Sequence, residues 1–356
     1  MSAEPKSFRP PVLERAELAF VRGLLRLPPA VQLLLSGRRQ IVIDGQALDP
    51  NMQLLLTLSG EAWRGSALRA PTVELARRRL RDDAVRYAGQ APRVRAVREL
   101  EIAGAAGPLR ARHYLPPQTD QPEPLLVFFH GGGFLLGDLD THDWPCRALC
   151  NDARVHVLSV EYRLAPEHPY PAAVDDALAA FRFAQAQAAQ LGADPTRIAV
   201  GGDSAGGNLA AVVAQQTRAD RPPCLQLLMY PVTDLDRQRP SRRLFGDGFF
   251  LSSKDMDWFD DQYGGQRRDD PSRAPLAAAD FAGLCPALVV TCGFDPLRDE
   301  GELYAQALER AGNRVQAWRE PGMLHGFLNM AAMSGSAQVA LDRLTERLAS
   351  ALRDGT

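Results

Sequence analysis

"RIAVGGDSAGGNLAAVVAQQ", residues 197–216, places one serine among four glycines, between a short apolar run and a run of alanines and valines. "RIAVGG" has the length and apolar continuity of a buried strand, and "GNLAAVVAQQ" reads as the opening of a helix. Gly202-Asp203-Ser204-Ala205-Gly206 therefore carries a G-x-S-x-G pattern between a strand and a helix. Small residues two before and two after the serine let the chain turn abruptly and present the hydroxyl at a helix N-terminus in a strained conformation. A phosphate-cradling loop would need Lys followed by Ser or Thr after the last glycine, and Asn208-Leu209 stand there instead. Taken alone, the pentapeptide also reads as a tight turn without chemistry, so the rest of the chain has to decide.

Working outward, strand-length apolar runs recur between turn residues: "VRAVRELEIAG", "LRARHYL", "LLVFFH", "VHVLSVEY", "RIAVGG", "LQLLMY", "ALVVTCG" and "VQAWRE". Helical stretches separate the later ones, namely "PAAVDDALAAFRFAQAQAAQLG", "GNLAAVVAQQTR" and "EGELYAQALERAG". This alternation predicts an α/β fold with a mainly parallel central sheet flanked by helices on both faces and functional loops at the carboxyl ends of the strands. Two regions break the pattern. Residues 1–90 are rich in Leu, Ala and Arg at helical spacing, including an amphipathic helical hairpin in "LAFVRGLLRLPPAVQLLL". More than fifty residues separate "LLMYP" from "CPALVVTCG", too many for a simple connection. The expected division is a helical cap portion at 1–90 and a catalytic domain at 91–356, with 234–270 contributing to the cap.

A serine hydroxyl is a poor nucleophile at neutral pH and needs a histidine base oriented by a carboxylate, here in the chain order Ser, acid, His. Of the six histidines only His325, in "EPGMLHGFLNM", follows Ser204. The acid should end the strand before it. "ALVVTCGFDPLRDEG" offers Asp295 directly after the strand, with Asp299 as the fallback. Backbone donors for a developing oxyanion are expected in "LLVFFHGGGFLLGD", where Gly131, Gly132 and Gly133 follow His130 after the third strand run, and at the N–H of Ala205.

Four separated motifs, "HGGGF", "GDSAGG", "DPLRDEG" and "HGF", with "EYRLAPEHPYPAAVDD" between the first two, resemble the hormone-sensitive-lipase family of α/β-hydrolases, the bacterial family IV esterases, from about residue 90 to 350. The resemblance implies a serine carboxylesterase with Ser204 as nucleophile, Asp295 as acid and His325 as base. It also implies that Gly132, Gly133 and Ala205 donate to the oxyanion, that His130 braces Gly131 and the glycine loop, and that a cap is built from N-terminal helices and the segment after the sixth strand. Residues 1 to about 45 extend beyond the usual start of the family. A deacetylase or amidase acting on a decorated small molecule, or a non-catalytic small-molecule receptor, are the alternatives; the presence of His325 argues against the receptor.

Phe134, Phe249, Phe250 and Trp258, together with Phe259, are the candidate substrate-binding side chains. The stretch "DDQYGGQRRDDPS" reads as a solvated surface segment, and "YRLAPEHPYP" as a buried turn fixed by an Arg163 ion pair. His142, Cys146 and Cys150 fall on one helix face, but a fourth ligand and a second close pair are missing, so no metal is expected. No organic cofactor is expected either.

The apolar fraction of 46%, charged fraction of 24% and net charge of -2 give no broad attraction to nucleic acid or an anionic membrane, so small-molecule ester substrates are the expected partners. Five cysteines without repeated close spacing predict reduced thiols and a cytoplasmic protein. Arg22, Arg26 and Pro28-Pro29 interrupt the apolar N-terminal stretch, so no stable membrane insertion is expected. Composition leaves a homodimer open.

Overall fold

All eight strand runs join one sheet in the computed structural model, which describes residues 12–37, 39–60, 68–117, 121–235, 238–264 and 269–353, the side chains of residues 12–17 excepted. From the N-terminus, helices α1 (Val12–Leu25) and α2 (Pro29–Leu35) lead into the hairpin β1 (Val42–Ile43) and β2 (Gln46–Ala47), then α3 (Pro50–Leu58) and α4 (Val73–Ala88). The sheet begins with β3 (Ala96–Gly104), β4 (Gly107–Leu115) and β5 (Glu123–Phe129), followed by α5 (Asp143–Asp152), β6 (His156–Val160) and α6 (Ala172–Leu191). Next come β7 (Ala193–Asp203), α7 (Ala205–Gln216), β8 (Gln226–Met229), α8 (Pro240–Phe245) and α9 (Ser253–Tyr263). The chain ends with β9 (Ala287–Phe294), α10 (Arg298–Arg310), β10 (Val315–Leu324), α11 (Phe327–Met330) and α12 (Gly335–Arg353).

The preamble is not wholly helical, as its composition suggests. Asp44 and Gly45, at φ 54° and 71°, turn the short hairpin β1–β2 into it. Asp49 then caps α3 by accepting from the N–H groups of Asn51 and Met52. Parts of the expected cap, residues 1–11, 61–67, 236–237 and 265–268, lie outside the described residues.

Strand order is β10-β9-β8-β7-β5-β6-β4-β3, with β4 antiparallel to both neighbours and every other pairing parallel. Strand β5 shows why both faces must be covered. Leu125, Val127 and Phe129 join one core cluster with Leu209, Val212 and Val213 of α7, while Leu126 and Phe128 join a second with Leu341, Leu344 and Leu348 of α12. Alternate side chains point to opposite faces, and full burial of each such side chain stabilises by roughly 1.5–3 kcal/mol. Arg163 fixes the turn before α6 through Asp176, which is fully buried and accepts from Arg163 Nε at 2.8 Å and Nη2 at 3.0 Å, but the turn expected to be buried is exposed from Pro166 to Pro169. All five cysteines are free. No helix among the described residues is long and apolar enough to cross a membrane.

The chain turns from one side of the sheet to the other around β5, which pairs with β6 on one edge and β7 on the other. The loops leaving β5 and β7 therefore diverge and open a crevice at the carboxyl end of the sheet. Phe129 is paired with Gly202, Asp203 with Met229, and Phe294 with Leu324, so the residues after each of these strands emerge side by side.

Beneath the sheet's antiparallel side, His113 of β4 and His156 of β6 meet ring to ring, Nε2 to Nδ1, at 2.9 Å. Burial pushes His113 down to about 3, with His156 adding to the effect, and pushes His156 down to about 4, with Arg95 assisting. Both folded values lie below the ordinary imidazole value of about 6.5. The unfolded chain thus takes up protons that the folded chain refuses, and stability that is full above about pH 6.5 is lost as pH falls towards 4. Denaturation midpoints at pH 7.5 and 5.0 are expected to drop for the wild type and to drop less for the double variant His113→Leu/His156→Leu. Equal drops would show that this pair does not set the acid limb.

Candidate active site

Ser204 sits at the hinge between β7 and α7 with φ 54° and ψ −114°, a conformation that costs a non-glycine residue on the order of 1–3 kcal/mol. Its N–H donates to Met229 O at 2.9 Å, and its carbonyl accepts from Asn208 and Val232. The turn is sharp enough that a Cβ on Gly206 would run into the carbonyl oxygen of Phe129. A side chain there would drive β5 away from α7.

His325 follows Leu324 and Asp295 follows Phe294, the last register pair of β10 and β9. His325 Nδ1 lies 2.8 Å from Asp295 Oδ2, and His325 Nε2 lies 3.0 Å from Ser204 Oγ. With Nδ1–H donated to the carboxylate, Nε2 is left as acceptor for the serine hydroxyl. Asp295 is fully buried, and its other oxygen accepts from the N–H of Leu297 at 2.8 Å. The ring of Tyr230 closes over His325 edge-on, 4.9 Å between centroids. Asp299, the fallback acid, is engaged elsewhere: it accepts from Ser241 N at 2.8 Å and from Arg298 Nε at 2.9 Å.

The glycine loop lies across from the serine. Gly131 N–H donates to Asp203 Oδ1 at 2.8 Å, tying the end of β5 to the end of β7. Gly132 and Gly133, at φ 120° and 62°, line the same cavity as Ser204, and the latter lies against the ring of Phe259 where a Cβ has no room. Among the described residues, the N–H groups of Gly132, Gly133 and Ala205 have no acceptor. His130 holds the loop from beneath through Nδ1 and Gly131 O, 2.9 Å apart, and stacks on Tyr162, whose hydroxyl donates to His130 O at 2.6 Å. Burial and the neighbouring His142 push the His130 imidazole down to about 4.

Two residues behind the loop, Asp203 and His142, have no role at the site in the sequence reading. Asp203 is 3% exposed, and burial alone would raise its carboxyl. His142 at 3.2 Å and the Gly131 N–H outweigh that and hold it below the usual carboxylate range. The helical spacing of His142, Cys146 and Cys150 thus has another meaning: the histidine faces Asp203 and Asn329, whereas both cysteines are buried free thiols. Only the unassigned second slot of G-D-S-A-G could have pointed to Asp203.

The cavity over Ser204 has a volume of about 130 Å³. Phe134, Phe250, Phe259 and Tyr263 supply its aromatic surface, with Leu68 and Leu80 from the N-terminal segment and Leu251 and Met256 from the long connection. Phe249 and Trp258 do not line it. Phe249 is packed between Phe245 and Phe294, 5.6 and 5.4 Å between centroids, and Trp258 lies against Phe259 on the core side. The stretch "DDQYGGQRRDDPS" is exposed at Asp261, Gly264, Asp269 and Pro271, as a surface segment should be, and its residues 265–268 lie outside the described residues, but part of it is tied inward. Tyr263 is 3% exposed and stacks on Phe134 at 4.0 Å, Asp260 pairs with the buried Arg273, and Asp270 accepts from Tyr170.

A family model described as alpha/beta hydrolase fold matches residues 126–329. The chain is 46% identical over 347 residues to the carboxylic ester hydrolase LipN of Mycobacterium tuberculosis, covering 94% of this chain and 90% of that protein. It is 38% identical over 314 residues to an ethyl acetate hydrolase of Pseudomonas putida, covering 85% and 98%. Among solved structures, an ester hydrolase from the metagenome of Lake Arreo, complexed with a derivative of bipyridine phosphonate, superposes with a TM-score of 0.80 at 40% identity, covering 85% of this chain and 98% of that one. The strand-end geometry, the family match and these relatives agree: the chain belongs to the α/β-hydrolase family, in its hormone-sensitive-lipase-like branch.

Proposed function

We propose that this protein is a serine carboxylesterase in which Ser204 is the nucleophile, His325 the general base and then acid, and Asp295 the carboxylate that orients the imidazole. The observation that carries the reading is the continuous chain Ser204 Oγ, His325 Nε2, His325 Nδ1, Asp295 Oδ2, with links of 3.0 and 2.8 Å, at the floor of a cavity lined by the glycine loop and aromatic side chains. His325 takes the hydroxyl proton as Oγ attacks the ester carbonyl, and the alcohol leaves with that proton. Water then attacks the acyl-enzyme by the same route and returns the proton to Ser204. The tetrahedral oxygen is received by the N–H groups of Gly132, Gly133 and Ala205, donors fixed in advance by the glycine loop and the start of α7; each is worth roughly 3–4 kcal/mol in acyl transfer.

Asp203 and His130 keep that loop in place through Gly131, whose N–H and carbonyl they respectively hold. The N-terminal segment and residues 234–270 act together as a cap, since Leu68, Leu80, Phe250, Met256 and Phe259 all face the cavity. A volume near 130 Å³ suits acyl groups of a few carbons better than long chains. Substrates are small-molecule esters met in the cytoplasm, in keeping with five free thiols.

With 4-nitrophenyl butyrate, Ser204→Ala and His325→Ala are each expected to lose on the order of 10⁴-fold or more in kcat, and Asp295→Asn about 10⁴-fold, with unchanged circular dichroism. Asp299→Asn should lose far less. Turnover surviving in Ser204→Ala would remove the serine from the mechanism. Across 4-nitrophenyl esters from acetyl to palmitoyl, kcat/KM is expected to peak at short to medium chains; a maximum at palmitoyl, or efficient hydrolysis of emulsified long-chain triglyceride, would contradict a cap that limits the acyl pocket.

A further inference from the structure

Ester hydrolysis leaves one wall of the cavity unexplained. Two arginines line it, Arg242 and Arg273. Arg242 is fully engaged, donating to Glu300 through Nε and Nη2, to Asp234 O, and facing Met256 Sδ at 3.6 Å. Arg273 is 3% exposed and only partly engaged: Nη2 pairs with Asp260, while Nε and Nη1 are buried with no acceptor among the described residues. The hydroxyl of Tyr263, in the same wall, is also buried without a partner, and the guanidinium lies 5.8 Å from the centre of its ring. The arginine is anchored beside the serine's own helix, because Asn208, one turn beyond Ser204, donates to Arg273 O at 2.9 Å.

A guanidinium cannot shed its charge, and buried donors without acceptors are costly where an apolar side chain would fill the same space. Resting on the esterase reading above, we propose that Arg273 and Tyr263 form a polar subsite for a neutral oxygen acceptor, a ketone, ester or amide carbonyl, that the substrate carries away from its scissile ester. Charge selects that class. Asp260 already balances the guanidinium and Asp257 lines the same cavity, so a substrate carboxylate would meet two carboxylates for one cation, whereas a neutral carbonyl adds no charge. Nε and Nη1 are closed off from solvent as the site stands, so the subsite requires the Arg273 guanidinium to turn towards the cavity when a substrate carbonyl enters.

The test compares kcat/KM for 4-nitrophenyl hexanoate with oxohexanoates in which the ketone is stepped along the chain, and for hexyl acetate with the matching oxohexyl acetates. The wild type is expected to prefer at least one oxo ester by about tenfold or more, as sites built around buried donors do. Arg273→Met should bring that ratio close to one, and Arg273→Lys, which keeps a cation beside Asp260, should retain part of it. The plain ester reports separately on the nucleophile: no turnover of it would bring down the esterase reading, not the subsite alone. Turnover of the plain ester with no oxo preference in either series overturns the subsite, even if the methionine variant does not fold. An equal preference in the wild type and Arg273→Met overturns it as well, and a stronger preference for a carboxylate-ended ester overturns the choice of a neutral acceptor.

Discussion

Parallel register holds this site together. In a parallel sheet each strand delivers its next residue at the same edge, and where the terminal pairs are level those next residues become neighbours without any further device. Phe294 opposite Leu324 places Asp295 against His325. Asp203 opposite Met229 places Ser204 where its N–H reaches the end of β8, and Phe129 opposite Gly202 brings the glycine loop alongside the serine. Residues spread over nearly two hundred positions of sequence thus converge through backbone pairing that the buried Leu, Val and Phe side chains enforce from both faces. A one-residue slip of β9 against β10 would reverse which side chains meet the core, so the triad geometry is protected by the full cost of disordering the sheet.

Two costs are concentrated at this edge. Ser204 is held at a positive φ, and Asp203 is ionised almost entirely out of water. They offset one another structurally. The carboxylate of Asp203 binds the Gly131 N–H and faces His142, so it clamps β5's loop to β7 at the residue before the strained serine. The neutral His130, wedged between Tyr162 and the loop, fills the space beneath without adding a second charge. The loop can then leave the N–H groups of Gly132 and Gly133 without acceptors among the described residues, which a freely moving triglycine would satisfy with water or collapse to avoid.

What is legible in the sequence follows from how local the determining forces are. Strand ends are local, so apolar runs and turn residues locate the strands, Ser204 and the glycine loop, while the chain order Ser, acid, His picks out His325 and leaves Asp295 with Asp299 as its fallback. The long connection is different. Phe249, Phe250, Trp258 and Phe259 form no period that says which face meets what, and in the structure Phe250 and Phe259 line the cavity, Phe249 is buried in the core and Trp258 is half-buried against it. Tyr263 reads as solvated because Asp, Gln and Gly surround it; its burial comes from Phe134, at the far end of the glycine loop, a partner that only tertiary structure supplies. Hairpin β1–β2 is missed for a related reason, since two-residue strands carry no alternation to detect.

The same distinction separates reaction from substrate. Side chains that follow strands inherit the rigidity of the sheet and vary little in position when the surface changes. The cavity wall is assembled instead from Leu68 and Leu80, from α9 and from Arg273, segments that reach the site through side-chain contacts and not through ladder hydrogen bonds. Such a wall can exchange an apolar residue for a charged one without moving Ser204 or His325, provided the new charge finds a partner, as Arg273 does in Asp260. Selectivity in this chain therefore belongs to a layer whose side chains can change while the strand-end chemistry beneath it stays fixed.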